Sequence, residues 1–341
     1  MFIVSGAGGF IGGHLVAELL REGQEPVRAI DIKPIYEWHQ LHAEAENLTL
    51  DLAKADACER ALRGGKGAYV FNLAADMGGM GFIENNKALC MLSVLISTNV
   101  LVAARDAGAA RLFYSSSACV YNEAKQRSAR VTPLKEEDAY PAMPEDGYGW
   151  EKLFSERLCR HFMEDFGLET RVARYHNVYG PHGTYEGGRE KAPAATCRKV
   201  IEAQLTGADE IEIWGDGKQT RSFTYIDDCI KGTLLLMRSD IREPLNIGSS
   251  ELVSIDDLYA YAMKFAGIDL KRRYNLDAPK GVNGRNSDNT LIQEKLGWAP
   301  STPLSAGLER TYDWIRSQIL SAQQRGRTNG TASKYLVKAS S

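Results

Sequence analysis

The sequence predicts an α/β fold in which a doubly wound parallel sheet is followed by a smaller mixed C-terminal domain. Short apolar segments alternate with helical patterns through the first half of the chain. A glycine-rich turn follows the first apolar segment, and loops rich in glycine, proline and charge begin after residue 177. Regular alternation of strands and helices is typical of a parallel sheet with right-handed crossovers. The 341 residues suffice for one large core or two smaller ones.

Hydrophobic periodicity places the elements of this fold. We expect strands at 2–4, 27–30, 48–50, 68–73, 111–115 and 170–175, helices at 14–22, 88–107 and 150–166, and later strands at 223–228 and 245–247 that return toward the sheet.

The charge balance argues against nucleic acid or an anionic membrane as a partner. The net charge is −3 and the sequence pI is about 6.1, so the chain has no overall basic field. Its six cysteines form no C-x-x-C pair, so we expect neither a metal site nor a disulfide framework. We see no signal peptide and no apolar stretch long enough to cross a bilayer, so we expect a cytoplasmic protein.

A glycine triplet follows the first strand in the segment Gly-Ala-Gly-Gly-Phe-Ile-Gly. Gly6 allows a tight turn, Gly9 lets the backbone approach a pyrophosphate, and Gly12 lets helix and strand pack closely. Phe10 and Ile11 open the next helix, whose free N–H groups and partial positive charge suit phosphates. Strand, glycine turn and helix in this order predict a Rossmann dinucleotide site.

Two acids follow the next two strands. Asp31 lies about 20 residues past the glycine turn, where a carboxylate accepts from ribose hydroxyls and favours NAD over NADP. Asp51 follows the third strand; a contact on the adenine side of the cofactor and a solvated loop acid explain it almost equally well. We therefore expect NAD as the cofactor.

These signals divide the chain into two predicted domains and a tail. They are an NAD-binding Rossmann domain of residues 1–176 to which 220–240 return, a substrate domain of 177–219 and 241–320, and a polar, largely disordered tail of 321–341.

Tyr148 and Lys152 form a Y-x-x-x-K motif. Four residues make about one helical turn, so both side chains share a helix face. An unperturbed tyrosine is a weak base at neutral pH, and a nearby lysine together with the nicotinamide charge lowers its pKa. Ser117 is the last of three serines after a strand. Its hydroxyl is expected to bond the same substrate oxygen as the hydroxyl of Tyr148. The motif alone leaves open a half-buried tyrosine beside a surface lysine.

The glycine triplet, the serine run and the Y-x-x-x-K motif in this order resemble the extended short-chain dehydrogenase/reductase family. The resemblance implies that Tyr148 takes the proton of a sugar hydroxyl and that Ser117 anchors this hydroxyl. It also implies that Lys152 binds the nicotinamide ribose and tunes the tyrosine. Residues 176–181 and 221–228 are similar to the nucleotide-sugar branch of the family.

A finer resemblance, from residue 1 to about 319, is to the family of GDP-mannose 3,5-epimerases. It implies that Cys119 is the base and Lys191 the acid of an epimerisation. Asn122 stands where a proline is expected, a departure that concerns the shape of one loop and not the chemistry. The segments that carry this resemblance are 74–82, 116–121, 187–193 and 284–289.

The implied reaction converts GDP-mannose to GDP-L-galactose and GDP-L-gulose. Oxidation of carbon 4 to a ketone acidifies the protons on carbons 3 and 5, a base and an acid on opposite faces invert these centres, and the reduced cofactor then returns its hydride. Neighbouring cations favour the thiolate that Cys119 needs, and burial or a nearby cation would make Lys191 an acid near neutral pH. Taken alone, Cys119 is also explained as an inert buried cysteine, and Lys191 as a solvated loop lysine. Family analogy also implies a homodimer, formed by the helices at 88–107 and 150–166.

Binding a nucleotide diphosphate needs local cations. Lys199, Arg221 and Arg285 are the candidates, with arginine favoured for forked contacts to phosphate. Each has a competing interpretation. Lys199 is also explained as surface charge, Arg221 as part of a salt bridge between domains, and Gly78 as a plain turn. Asn177 and Gln219 are expected to supply amide hydrogen bonds. The expected substrate contacts are Gly78, Ser117, Ala118, Cys119, Tyr148, Asn177, Glu190, Lys191, Ala192, Lys199, Gln219, Arg221 and Arg285.

Two other functions stay open at this point. A nucleotide-sugar 4-epimerase or 4,6-dehydratase would share the glycine turn, Tyr148 and Lys152. A dehydratase of this family carries an Asp-Glu pair where Ala118 and Cys119 stand, and a 4-epimerase has no need of Cys119 or Lys191. A non-catalytic dinucleotide-sensing module is a weaker alternative, because such proteins usually lose the tyrosine or the lysine.

Overall fold

The computed structural model describes residues 1–279 and 281–328, with side chains up to residue 324. The strands are β1 (Phe2–Ser5), β2 (Val27–Asp31), β3 (Glu46–Thr49), β4 (Tyr69–Asn72), β5 (Arg111–Ser117), β6 (Thr170–Tyr175), β7 (Val178–Tyr179), β8 (Glu210–Trp214), β9 (Thr220–Ser222), β10 (Thr224–Tyr225), β11 (Leu245–Ile247), β12 (Leu252–Ser254), β13 (Lys271–Asn275) and β14 (Gly284–Arg285). The α-helices are α1 (Phe10–Arg21), α2 (Ala55–Ala61), α3 (Met80–Asn85), α4 (Lys87–Met91), α5 (Ser93–Asp106), α6 (Tyr148–Phe166), α7 (Ala192–Thr206), α8 (Ile226–Arg238), α9 (Ile255–Ala266), α10 (Thr290–Leu296) and α11 (Leu304–Thr328).

Seven parallel strands form the central sheet, in the order β11-β6-β5-β4-β1-β2-β3. The chain winds outward from β1 in one direction through β2 and β3, and then crosses back to β4 and continues in the other direction. The predicted doubly wound parallel sheet is confirmed. The order reverses between β1 and β4, and a crevice at the carboxyl ends of strands at such a point is where this architecture binds ligands.

Successive side chains of the strands enter separate apolar clusters on the two faces of the sheet. Phe71 and Phe113 belong to one cluster, while Val70 and Leu112 belong to the other. This alternation follows from the two-residue period of a strand. Burial on both faces explains why the strands read as continuous apolar runs.

The second part of the chain packs α7 against α9 and α11 and adds three small sheets. Buried residues of these helices, such as Val200, Leu258 and Leu308, lie in the same apolar cluster as Val4 of β1. The core is therefore continuous between the two parts, and the proposed domain division remains a prediction.

One of the expected strands differs from the structure. The segment expected as a strand at 223–228 forms only β10, which pairs with β7, and α8 begins at Ile226. Asp227 and Asp228 lie in the first turn of that helix, where acids favour the positive end of the helix dipole. The strand expected at 245–247 is confirmed as β11, which pairs with β6 and so returns to the central sheet, although the division at residue 240 assigns it to the substrate domain.

One helical stretch contradicts the expectation about membrane spans. Lys87–Asp106, which joins α4 and α5, is long and apolar enough to cross a bilayer by length and composition alone, with a mean hydropathy of 1.8. Within the described residues it packs against α2 and α6. Its apolar face against these helices raises the hydropathy, as in core helices of many proteins.

The tail also differs from the expectation over its first part. Residues 321–328 continue α11 instead of being disordered. The rest of the expected disordered segment, residues 329–341, lies outside the described residues.

Candidate active site

The glycine turn forms a cradle at the carboxyl end of β1. Gly6 has φ 74°, and a Cβ there would lie 2.9 Å from the backbone of the loop after β4. At Gly12 a Cβ would lie 2.2 Å from the carbonyl oxygen of Gly6. No side chain caps α1, whose N-cap is Gly9, so the N–H groups of its first turn face the crevice uncapped. The cradle fits a pyrophosphate, with Phe10 and Ile11 as the first helical residues.

Asp31 ends β2 at the same edge of the sheet and is 7% exposed. Its carboxylate accepts from the backbone N–H of Lys33 at 3.0 Å, and the Nζ of Lys33 donates to the carbonyl of Gly8 at 3.3 Å. Lys33 thus joins the expected ribose acid to the glycine turn, a link that no motif in the sequence signals. Asp51 accepts from Ala53 N at 3.1 Å within its own loop, and its cofactor contact stays a prediction.

The serine run alternates across the end of β5. Ser115 Oγ donates to the carbonyl of Asn72 in β4 at 3.1 Å, whereas Ser116 Oγ donates to the buried carboxylate of Glu156 at 2.5 Å. Ser117 ends the strand, and its Oγ accepts from Cys119 N at 3.2 Å. This contact caps a short 3₁₀ turn that begins at Ala118, so the strand end fixes the backbone of the cysteine.

Tyr148 and Lys152 share the first turn of α6, as the motif predicts. Both are buried, and the Nζ of Lys152 lies 5.5 Å from the centre of the Tyr148 ring and 3.7 Å from a carboxylate oxygen of Glu151. Burial raises the pKa of Tyr148, and a hydrogen bond with Ser117 opposes this rise. The phenol of the chain alone is therefore protonated at neutral pH, and the charge of a bound nicotinamide must contribute to lowering its pKa.

Cys119 lies beside Tyr148 in a small buried cluster with Ile83 and Cys90. It is 7% exposed, whereas the other five cysteines, all within the described residues, are free thiols with no exposure. Arg285 Nη1 donates to Cys119 Sγ at 3.6 Å. The cysteine for which the resemblance implies a base is thus the one cysteine that retains a path to solvent, and it has a cation at its sulfur.

Lys191 caps the start of α7 in the loop 187–191. Burial lowers the pKa of Lys191, and the negative charge that Cys119 can carry opposes this effect. Burial likewise lowers the pKa of Arg221 to about 10, again opposed by Cys119. Arg285 therefore contacts the sulfur of Cys119, and the charges of Lys191 and Arg221 interact with that of Cys119 although the three cations are distant in sequence.

The loop 187–191, here called the Lys191 loop, is held against the loop after β4. Arg189, Asp76 and Phe82 make the contacts between the two loops, and we call these three residues the clasp. Arg189 Nη1 donates to Asp76 Oδ1 at 2.6 Å, and its guanidinium lies 3.8 Å from the centre of the Phe82 ring. Gly79 N donates to the Arg189 carbonyl at 3.0 Å, and a Cβ at Gly79 would lie 2.3 Å from the carbonyl oxygen of residue 190. The sequence indicated both loops but not the contact between them.

Two further expected substrate residues, Lys199 and Gln219, meet at Trp214. Lys199 Nζ donates to the Glu212 carbonyl at 3.0 Å and lies 5.5 Å from the centre of the Trp214 ring, while Gln219 Nε2 donates to the Trp214 carbonyl at 3.5 Å. Burial lowers the pKa of Lys199. Trp214, which is exposed, joins these two residues and was not singled out from the sequence.

Other expected contacts already have protein partners. Glu190 pairs with Arg198 at 3.3 Å and accepts from Gly188 N at 2.7 Å. Asn177 has φ 41°, and its Nδ2 donates to the Ser222 carbonyl at 3.0 Å. A left-handed asparagine is a strained feature that is common at functional sites.

Three more of the expected substrate residues have defined surroundings. Gly78 is buried, and a Cβ there would lie 2.8 Å from the Phe82 side chain. Ala192 is the first residue of α7, directly after Lys191. Arg221 donates to the carbonyls of Thr220 at 2.8 Å and Val282 at 2.5 Å. The part that each plays in substrate binding stays a prediction.

The loop at Asn122 has a simple geometry. Its Oδ1 accepts from Ala124 N at 2.9 Å, and its Nδ2 donates to the Pro141 carbonyl at 3.0 Å. The asparagine therefore caps the next turn and ties it to a neighbouring loop, as short polar side chains do at turns. The departure from the expected proline leaves Cys119, three residues earlier, in place.

Comparison with known proteins assigns the family. The model of the NAD-dependent epimerase/dehydratase family matches residues 2–248. The chain belongs to this family. Membership makes it an NAD-dependent enzyme, and the uncapped α1 and the side-chain-free cradle at Gly6 and Gly12 fit the pyrophosphate of that cofactor.

Relatives and solved structures extend the comparison. GDP-mannose 3,5-epimerase 1 of Oryza sativa subsp. japonica is 50% identical over 324 residues, which are 95% of this chain and 83% of that protein. GDP-mannose 3,5-epimerase of Arabidopsis thaliana is 48% identical over 328 residues, 95% of this chain and 84% of that protein. A UDP-glucose 4-epimerase of Thermotoga maritima with UDP-glucose has a TM-score of 0.81 at 26% identity, covering 93% of this chain and 99% of its own. A UDP-glucuronic acid 4-epimerase of Bacillus cereus, in complex with UDP-glucuronic acid and NAD, has a TM-score of 0.77 at 25% identity and the same coverage.

Proposed function

We propose that this enzyme is a GDP-mannose 3,5-epimerase, which interconverts GDP-mannose, GDP-L-galactose and GDP-L-gulose. The observation that carries the proposal is the environment of Cys119, a 7% exposed thiol that shares a cluster with Tyr148, has Arg285 at its sulfur and interacts with the charges of Arg221 and Lys191. The 50% identity to GDP-mannose 3,5-epimerase 1 of rice supports the same substrate. A 4-epimerase needs neither the thiol nor the lysine.

Each residue has a distinct role in the proposed reaction. When bound, NAD supplies the redox chemistry that makes carbon 4 of the sugar a ketone and later reduces it again. Tyr148 holds and moves the proton of the carbon 4 hydroxyl, Ser117 orients that hydroxyl, and Lys152 favours the phenolate. Cys119 takes the proton from carbon 5 or carbon 3, and Lys191 delivers a proton to the opposite face.

Incubation with GDP-mannose, without added NAD, tests the proposal. We expect GDP-L-galactose and GDP-L-gulose, identified by hydrolysis and sugar chromatography, because cofactor retained from purification is regenerated in each cycle. UDP-glucose, the ligand of the Thermotoga maritima neighbour, serves as the matched control and is expected to stay unchanged. Exclusive conversion of UDP-glucose would make the enzyme a 4-epimerase instead.

We propose further that the active form is a homodimer. Leu92 and Leu95 of the α4–α5 stretch and Trp150 and Phe154 of α6 are exposed apolar side chains on two helices that pack together. A second copy that covered this face would remove the apolar surface from water. Light scattering is expected to give twice the chain mass for the native protein. Phe154→Glu is expected to give monomers, and Leu276→Glu, at an exposed leucine elsewhere, to change nothing.

We also propose a cytoplasmic location, which the six free thiols support because reducing compartments maintain thiols. A fluorescent fusion is expected to distribute through the cytosol. Recovery with membranes, through the apolar stretch Lys87–Asp106, would contradict this proposal.

A further inference from the structure

Arg285 is held by protein groups on all three of its nitrogens. Its Nε donates to Gln126 Oε1 at 2.7 Å, its Nη1 donates to Cys119 Sγ at 3.6 Å, and its Nη2 forms an ion pair with Glu145. The Arg285 side chain is 5% exposed and that of Glu145 is 13% exposed. A guanidinium with this set of partners is oriented toward the thiol before any substrate arrives.

Glu145 contacts Cys119 directly through its backbone and indirectly through Arg285. Its backbone N–H donates to the Cys119 carbonyl at 3.1 Å, and its carboxylate holds Arg285, whose other arm contacts the sulfur. The backbone near Glu145 is also tightly packed on the cysteine, since a Cβ at Gly149 would lie 2.4 Å from the Cys119 carbonyl oxygen. Glu145, Arg285 and Cys119 therefore form a closed loop of contacts that also fixes the start of the Tyr148 helix.

The charges of this loop have a clear physical consequence. A cation at contact distance favours the thiolate over the thiol. A buried guanidinium without a counter-charge is strongly unfavourable, so without the carboxylate Arg285 would turn toward solvent. Glu145 is thus needed to keep the cation at the sulfur, even though its own negative charge opposes thiolate formation from further away.

We propose that Glu145 is a positioning residue that holds Arg285 against Cys119, so that the guanidinium stabilises the thiolate that accepts the sugar proton. The proposal rests on the proposed function for the identity of that proton. In the step itself the sulfur lone pair forms the S–H bond, the carbon–hydrogen pair stays with the substrate as its enolate, and Arg285 keeps all its protons. These contacts use three of the five N–H groups of Arg285, so the expected contact of Arg285 with the diphosphate stays a prediction beside this assignment.

Alkylation of Cys119 by iodoacetamide tests the proposal without any sugar nucleotide. The enzyme as purified is treated between pH 5.5 and 9, and modification of each cysteine is measured by peptide mass spectrometry. Burial raises the pKa of Cys58 and Cys229 to about 12 and also raises the pKa values of the remaining three unexposed thiols, so Cys119 is expected to be the site that reacts.

The expected result is a shift of the alkylation curve. Arg285→Met is expected to move the curve to higher pH and to slow alkylation of Cys119 at neutral pH about tenfold. Glu145→Ala is expected to shift the curve in the same direction, and the double variant to shift it no further than Arg285→Met alone. Asp146→Ala is the matched control, because this neighbouring acid pairs with Lys87 at the surface. It is expected to leave the curve unchanged.

Three results would overturn the proposal. One is an unchanged curve for Glu145→Ala, and another is a shift to lower pH, which would mean that Glu145 only neutralises Arg285. The third is normal alkylation in Arg285→Met together with lost affinity for GDP, measured by calorimetry, which would make Arg285 a diphosphate ligand. Glu145→Gln retains the volume and one hydrogen bond, and a smaller upward shift is expected from it if the alanine variant does not fold. Failure of GDP-mannose turnover in the native enzyme would reject the proposed function but not this result.

Discussion

The guanidinium of Arg189 lies 3.8 Å from the centre of the Phe82 ring, and this contact fastens the Lys191 loop to the loop after β4. Both side chains come from the rim of the crevice, and Arg189 is itself half-exposed. The position of the proposed acid therefore depends on a contact at the surface of the site.

Removal of this contact is expected to slow the reaction more than it weakens binding. A cation–π contact and a partly exposed ion pair together contribute about 1.5 kcal/mol, so Arg189→Ala is expected to lower kcat about tenfold with a smaller change in KM. Steady-state kinetics with GDP-mannose measures both. Arg273→Ala, which removes a surface arginine paired with Glu210, is the control and is expected to retain native kinetics. An unaltered kcat in Arg189→Ala would show that the clasp has no part in catalysis.

Cys119→Ala is expected to abolish proton exchange and retain binding. Without the thiol no base faces carbons 3 and 5, but the cradle at Gly6 and the hydroxyl site at Ser117 are intact. Incubation in D₂O with mass analysis should show no deuterium in the recovered sugar nucleotide, whereas calorimetry should show native affinity for GDP. Uptake of deuterium at the native rate would reject the base assignment.

Tyr148 controls the expected rise of activity with pH. Burial raises the pKa of Tyr148, so its base form is scarce at neutral pH and its fraction increases about tenfold per pH unit. Burial lowers the pKa of Lys191, so its acid form is lost at a lower pH than for an ordinary lysine. The profile of kcat/KM is therefore expected to be bell-shaped. Tyr148→Phe should lose about a thousandfold in kcat and retain NAD binding; a loss below tenfold would contradict the role of the phenol.

His176 makes the fold sensitive to acid. The ring is fully buried, its Nε2 bonds Asn246 Oδ1 at 2.9 Å, and burial lowers its pKa to about 4. An unfolded histidine titrates near 6.5, so the unfolded chain binds the extra proton between these values. The contribution of the neutral ring is complete above pH 6.5 and is lost as the pH falls to 4, a change of about 3 kcal/mol.

Urea unfolding at pH 7, 5.5 and 4.5 measures this acid sensitivity. His176→Gln is expected to be less stable than the native chain at pH 7 but to lose less stability between pH 7 and 4.5. His161→Gln, at an exposed histidine paired with Glu164, is the control and is expected to follow the native curve. Parallel pH dependence in the His176 variant and the native protein would exclude this residue as the source.

The regular part of the fold was predictable because it depends on local signals. Short apolar segments that alternate with helical patterns identified the strands β1 to β6. The glycine turn identified the start of α1. The pattern at 223–228 does not separate a strand from a helix, because an apolar residue followed by acids suits both a strand end and a helix start. The segment 87–106 contains polar residues that divide its apolar sequence, so it does not stand out as a membrane span although its mean hydropathy is 1.8.

The candidate site was predictable in its members but not in its arrangement. Motif spacing pairs Tyr148 with Lys152, because both lie on one helix turn. The contacts of Arg285 with Cys119, Gln126 and Glu145 join residues more than a hundred positions apart, and no local pattern encodes them. The charge around the sulfur of Cys119 therefore depends on long-range contacts that the motifs do not specify.

In the proposed reaction a temporary ketone at carbon 4 activates carbons 3 and 5, and GDP-mannose that carries deuterium at carbon 4 provides the decisive test. We expect slower turnover of the labelled substrate, products that keep the label at carbon 4, and no turnover once the cofactor has been stripped from the enzyme. Epimerisation by the stripped enzyme at the native rate, with no isotope effect, would contradict it.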